Sequence, residues 1–154
     1  MFKLRKKKTD IITSPVNGTV ITMDQVKDEV FANKLLGDGF AVEPQDGEIY
    51  APIEGEVFSI FPTKHAISLK SKNGLEVLVH MGIDTVELNG EGFTIHVKEH
   101  DQVNASTNMA TMDLDAIQAK GKQVPIIVAF TNLKDKEVHV DTGLHQVQDV
   151  LTEL

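Results

Sequence analysis

His65, in "PTKHAISLK", and His80, in "LEVLVHMGIDT", are the side chains of this sequence best suited to chemistry. His80 closes an apolar run in which another Val would be the ordinary choice. Two neighbouring imidazoles suit three kinds of chemistry. They can bind a metal with a third ligand from elsewhere. They can act as base and acid. Or one can be a nucleophile that accepts a phosphoryl group while the other stabilises the charge. Thr63 stands just before His65, where its hydroxyl can hydrogen-bond the imidazole and fix its tautomer. Asp84 follows Gly82, which is expected to end the strand, and a residue there can cap the next turn. No Gly-x-x-x-x-Gly-Lys-Ser/Thr phosphate loop occurs, so a phosphoryl donor would be something other than a nucleotide.

The elements around these residues must bring the rings together. "HAISLK" and "LEVLVHM" flank "SKNG", a strong turn signal, and read as an antiparallel hairpin. With Ser71 to Gly74 as the loop, Lys70 pairs with Leu75 and His65 lies opposite His80. With Asn73-Gly74 alone as the turn, His65 faces Gly82 and is diagonal to His80. Either register puts both imidazoles on one face, with Cβ atoms roughly 4.5–8 Å apart. A bulge or an odd-length loop would break this reasoning. Alternation gives one face to Leu75, Val77, Val79 and Met81, the better core candidates. The other face takes Glu76, Leu78 and His80, with His65, Ile67 and Leu69 across the hairpin. Apolar surface around a reactive group reads as a docking site for another protein.

Short β-type runs such as "GTVITM", "GEVFSIF" and "VPIIVAF" recur from Ile11 to Val140, separated by Gly, Pro, Asn and Asp. This pattern predicts an all-β fold, an antiparallel sandwich or barrel. "SPVNGTVI" (Ser14 to Ile21) and "APIEGEVF" (Ala51 to Phe58) share a motif and predict a duplicated β unit. Each copy is expected to be an edge strand entered through Pro and turned by a Gly of positive φ. "DQVKDEVFANKLL" is expected to hold a short helical turn, and "DLDAIQAKG", with its Asp cap and Gly stop, one or two. The organisation is a basic tail, residues 1–10, ahead of a single domain, residues 11–154.

Composition narrows the function. Hydrophobic residues make up 41% of the chain but aromatics only 5%, so the core must be built from Val, Ile, Leu and Ala. The absence of Cys excludes disulfides, thiolate metal sites and Cys nucleophiles, and fits a cytoplasmic protein. A net charge of -8 argues against nucleic acid as a partner. The one basic cluster, "KLRKKK", reads as a solvated terminus, or as a weak contact with an anionic membrane surface. No apolar run reaches the ~20 residues of a membrane span.

The stretch "FPTKHAISLKSKNGLEVLVHMGIDTVELNGEGF" closely resembles the glucose-type enzyme IIA (EIIA) of the bacterial sugar phosphotransferase system. The family signature, a Gly, an apolar triplet, then His-apolar-Gly-apolar-x-Thr, reads here as "GLEVLVHMGIDT". Thr63, His65, Asp84, "ELNGEGF" and "VFANKLLGDGFAVEP" extend the likeness over most of Ile11 to Phe130. The resemblance implies an antiparallel β-barrel or sandwich and no cofactor. It implies that His80 takes a phosphoryl group from the phosphocarrier HPr and passes it to the IIB domain of a sugar permease. His65 would be the auxiliary imidazole, oriented by Thr63. Asp28 and Asp84 would meet a basic group on HPr. Val30, Phe31, Leu36, Phe61, Leu78 and Val86 would form an apolar rim. The sequence departs from the family in "KEHDQVNASTNMATMD", where a turn must be built differently, with Asn104 the candidate. His96, His100, His139 and His145 have no matched role. The short N-terminus is that expected of a free-standing IIA protein, and a monomer is expected of a face shared by two partners.

Two rivals remain. A zinc hydrolase would use His65, His80 and Asp84, although no His-x-His or His-Glu-x-x-His occurs. A biotinyl- or lipoyl-type carrier would need a modifiable Lys at a hairpin tip, and Lys72 is at one but has no Met beside it.

Overall fold

The computed structural model describes residues 9–133 and 136–154. Thirteen strands lie among them: β1 Ile11–Thr13, β2 Gly18–Thr22, β3 Gly39–Pro44, β4 Glu48–Tyr50, β5 Gly55–Ile60, β6 Ala66–Ser71, β7 Glu76–Met81, β8 Phe93–Ile95, β9 Gln102–Val103, β10 Asn108–Met112, β11 Ile126–Phe130, β12 Gly143–His145 and β13 Val150–Glu153. Two helices, α1 Glu29–Ala32 and α2 Leu114–Ala119, and 3-10 turns at Met23–Gln25 and Thr85–Leu88 complete the described elements. All pairings are antiparallel. An eight-stranded sheet runs β12-β2-β3-β11-β7-β6-β5-β9, a three-stranded sheet β4-β10-β8, and β1 pairs with β13. The all-β antiparallel expectation is met.

Strand alternation divides the large sheet into two faces. Its inner face carries Phe40, Val42, Ile67, Leu69, Val77, Val79, Met81, Ile126, Val128 and Phe130. These pack with Ile49, Met109, Phe93 and Leu151 from the smaller sheets into one buried core. The outer face carries Ala41, Leu78, His80, Ile127 and Ala129, residues directly paired across β3, β11 and β7. Here the 3-10 turn and α1 lie over the sheet, and Met23, Val26 and Phe31 join Ala41, Ile83, Ile127 and Ala129 in a second, smaller cluster. A four-residue helix has little stability of its own. Asp28 caps it, Oδ1 accepting from the N–H groups of Val30 (2.9 Å) and Phe31 (3.3 Å). α2 starts in the expected way, with Asp113 accepting from the Ala116 N–H, and Gly121 follows it at a φ of +80°.

The two copies of the repeat are related in space. The Thr13 N–H donates to the Pro52 carbonyl, and the Tyr50 N–H to the Pro15 carbonyl, so the residue before each copy bonds the equivalent proline of the other. Their strands, β2 and β5, take matching places from opposite edges of the large sheet. They are not edge strands, however: β12 covers β2 and β9 covers β5. The repeat glycines also have a different use from the one expected. Neither Gly18 nor Gly55 has a positive φ. A Cβ at Gly18 would run into the Glu43 carbonyl, and one at Gly55 into that of Lys70, so both are required by close backbone approach. At Asn104 the expected turn is present: its carbonyl accepts from the Thr107 N–H at 2.9 Å.

Candidate active site

His80 is on the outer face of β7, and His65 immediately precedes β6. The ring centroids are 5.0 Å apart with planes at 79°. Neither expected register produces this. Lys70 pairs with Glu76 and Ala66 with His80, one residue away from both alternatives. The hairpin loop has an odd length because the Ser71 Oγ accepts from the Leu75 N–H (3.0 Å) and the Leu75 carbonyl from the Ser71 N–H (2.9 Å). Ile67 and Leu69 are therefore core residues, and Ala66 and Ser68 share the face of His80. The rings still meet because His65 stands outside the alternating strand. The chain turns at Phe61–Lys64, where the Lys64 N–H donates to the Phe61 carbonyl and Lys64 has a φ of +60°. The Met81 N–H then donates to the His65 carbonyl at 2.8 Å, joining the two histidine segments backbone to backbone.

Hydrogen bonds orient each ring. His80 Nδ1 is 2.7 Å from the Gly82 carbonyl. A carbonyl only accepts, so Nδ1 carries the proton and Nε2 keeps its lone pair. Gly82 has a φ of +87°, and a Cβ there would lie 2.8 Å from the Gln123 carbonyl. Thr85, fully buried, donates to the Met81 carbonyl at 2.7 Å and closes the turn after the strand. Thr63 Oγ1 lies 2.7 Å from His65 Nδ1. Burial depresses the pKa of His80 to about 4, with His65 adding to the effect, and the Gly82 hydrogen bond, Asp28 and Asp84 opposing it. Burial also lowers the pKa of His65, which is 5% exposed. The pair is thus neutral at pH 7, with one imidazole nitrogen held as a free nucleophile.

Two phenyl rings complete the surroundings. Phe31 packs on His80 (centroids 4.9 Å apart) and Phe61 on His65 (5.5 Å). Among the described residues no group of three or more His, Cys, Asp or Glu side chains could hold a metal ion, so the zinc reading lacks its third ligand. Asp84 is exposed and makes no capping hydrogen bond, which leaves the turn to Thr85. Lys72, at the tip, bonds Glu54 at 2.8 Å.

The sequence model of the phosphoenolpyruvate-dependent sugar phosphotransferase system, EIIA 1, matches residues 10–136. The chain belongs to this family. As an EIIA domain it is a phosphoryl-carrying component of that system. It is 44% identical over 124 residues to the glucose-specific EIIA component of Halalkalibacterium halodurans, covering 80% of this chain and 72% of that one. It is 52% identical over 127 residues to the glucose-specific EIICBA component of Streptococcus pneumoniae, covering 82% of this chain but only 18% of that longer protein. The glucose permease IIA from Mycoplasma capricolum superposes with a TM-score of 0.90 at 38% identity, over 96% of each chain.

The residues expected on the partner face of the EIIA domain are not all equivalent. Val30, Leu36, Phe61 and Val86 are 44%, 40%, 39% and 48% exposed and can form a rim. Leu78 is half-buried beside them. Phe31 is only 6% exposed, a core residue of the smaller cluster, because its ring is spent on His80 and its neighbours. Asp28 uses Oδ1 on the helix cap. Gly82 ends the strand as expected, but its use as a carbonyl acceptor and the part played by Thr85 were not visible, since a carbonyl acceptor and a buried hydroxyl leave no mark on residue spacing. The remaining histidines have local partners: His96 bonds Thr111 (2.7 Å), His139 lies 3.5 Å from Glu137, and His145 lies between Asp141 (3.1 Å) and Asp149 (2.9 Å). His100 sits at a φ of +75° in the turn before β9. The basic cluster at Lys3–Lys8 lies outside the described residues. No helix among the described residues is long and apolar enough to cross a membrane.

Proposed function

We propose that Nε2 of His80 accepts a phosphoryl group from phosphorylated HPr and passes it to the IIB domain of a sugar permease. The observation that carries this reading is the 2.7 Å hydrogen bond from His80 Nδ1 to the Gly82 carbonyl, which leaves Nε2 unprotonated and facing away from the turn. In the forward step the Nε2 lone pair attacks phosphorus. The bond to the donor breaks, and its electron pair leaves with HPr. His65 assists electrostatically. With Thr63 donating to its Nδ1, Nε2–H is left to bond the phosphoryl oxygens as charge shifts onto them. Phe61, Val30, Leu36, Val86 and Leu78 form an apolar surface around the pair, and Asp28 and Asp84 supply negative charge at its margin. Glucose is the sugar to test first, because the relatives are glucose-specific by name. A cysteine-free sequence is in keeping with a cytoplasmic setting, and one chain carries the whole site, so a monomer suffices.

Incubation with phosphoenolpyruvate, enzyme I and HPr should add one acid-labile phosphate, mapped to His80. His80→Ala should take up none. His65→Gln should be phosphorylated but transfer to IIB at least tenfold more slowly, an effect of about 1.4 kcal/mol on the barrier. Equal labelling of His80→Ala and the parent protein would end the assignment.

A further inference from the structure

Phe31 has a position that an exposed docking residue would not need. Its ring is 6% exposed and packs on the His80 imidazole with centroids 4.9 Å apart and planes at 59°. It is set there by several independent contacts. Asp28 Oδ1 accepts from the N–H groups of Phe31 and Val30, the Asp28 carbonyl accepts from the Ala32 N–H, and Met23, Val26, Ala41 and Ile127 share the smaller buried cluster with the ring. We propose that Phe31 is a positioning residue for the phosphoryl acceptor: its ring keeps water off one side of the His80 imidazole and so keeps that imidazole neutral with the Nε2 lone pair available. The shielding stands on the packing alone. Its use in phosphoryl uptake rests on the function proposed above.

The charges around His80 make a shield necessary. His65 faces it from the loop before β6, Asp28 from the start of α1 and Asp84 from the turn after β7. Its paired neighbours in the sheet, Ala66 on β6 and Ile127 on β11, bring no charge. The two carboxylates and the Gly82 carbonyl all favour a protonated ring. Exclusion of water outweighs them, and Phe31 is the phenyl ring packed directly on the imidazole.

The test is an NMR titration of the imidazole signals in the unphosphorylated protein and in Phe31→Ala and Phe31→Leu. In the parent His80 should titrate at about 4. In Phe31→Ala its pKa should rise by at least about one unit toward the ordinary 6.5. In Phe31→Leu, which keeps most of the apolar volume, it should rise by less. Phosphoryl uptake from HPr should be nearly flat from pH 7.5 down to 5.0 in the parent and fall about twofold to thirtyfold over that range in Phe31→Ala, as the neutral fraction declines. Unchanged His96 and His145 signals report that each variant is folded. A folded Phe31→Ala in which His80 titrates as in the parent would overturn the shield. If Phe31→Ala does not fold, a Phe31→Leu protein with no shift at all would do the same. A shifted pKa with pH-independent uptake would overturn its role in the reaction. A shifted pKa in proteins that take up no phosphate would leave the shield standing and reject the phosphocarrier role of His80.

Discussion

At the scale of the residue, the neutrality that the proposed role of His80 requires also sets a part of the stability. It is neutral in the fold, with a pKa depressed to about 4 chiefly by burial, and in the unfolded chain it would titrate near 6.5. Between those values the unfolded state binds more protons than the native state. Stability therefore rises with pH across this window: the contribution is complete above about pH 6.5 and is lost as the pH falls toward 4. The size is about 2–3 kcal/mol, and burial of His65 adds an effect of the same sign. Urea midpoints measured from pH 4.5 to 7.5 should fall on the acid side in the parent and much less in His80→Gln. An equally steep acid limb in that variant would mean that other groups dominate. His80 itself stood out in the sequence because a polar residue interrupted an apolar run. Its tautomer did not, because a main-chain carbonyl selects it.

At the scale of the element, the hairpin was readable and its register was not. The strands, the turn and the core face of β7 follow from alternation and from "SKNG". The one-residue slip follows from the Ser71 hydroxyl, which closes a longer loop by bonding the Leu75 N–H, a choice that Ser shares with many loops where it does nothing of the kind. The two rings nevertheless meet, because His65 belongs to the turn and not to the strand. The turn after β7 depends in the same way on one hydroxyl. Thr85→Val keeps the shape and removes the donor, leaving the buried Met81 carbonyl unpaired on that side. A loss of about 1–2 kcal/mol is expected, seen as a lower Tm, together with slower phosphoryl uptake as the Gly82 carbonyl loses its fixed place. Full stability in Thr85→Val would show that the hydroxyl is dispensable.

At the scale of the whole molecule, the repeat was visible as a motif, but its meaning was spatial. The Pro15 and Pro52 carbonyls each bond the residue that precedes the other copy, and the glycines of the two copies admit the carbonyls of Glu43 and Lys70. The copies reach the site through different residues: β5 pairs with β6, which follows His65, whereas β2 leads through the 3-10 turn to α1, whose Phe31 packs on His80. Gly55→Ala and Gly18→Ala should thus cost similar stability, about 1–3 kcal/mol each. Gly55→Ala should also slow transfer from His80 to IIB, through the segment that holds His65. A parent-like transfer rate in that variant would show that strain in β5 does not reach His65.

The hydrogen bond from the Met81 N–H to the His65 carbonyl fastens the two histidine segments to a common frame. Under the proposed function the protein is loaded by one partner and emptied by another at the same two rings. A pair assembled afresh at each visit would spend part of every docking energy on drawing the rings together. Here the spacing is inherited from the fold, so that energy is free to discriminate between visitors, and any reshaping at the moment of contact falls to the exposed rim or to the visitor itself.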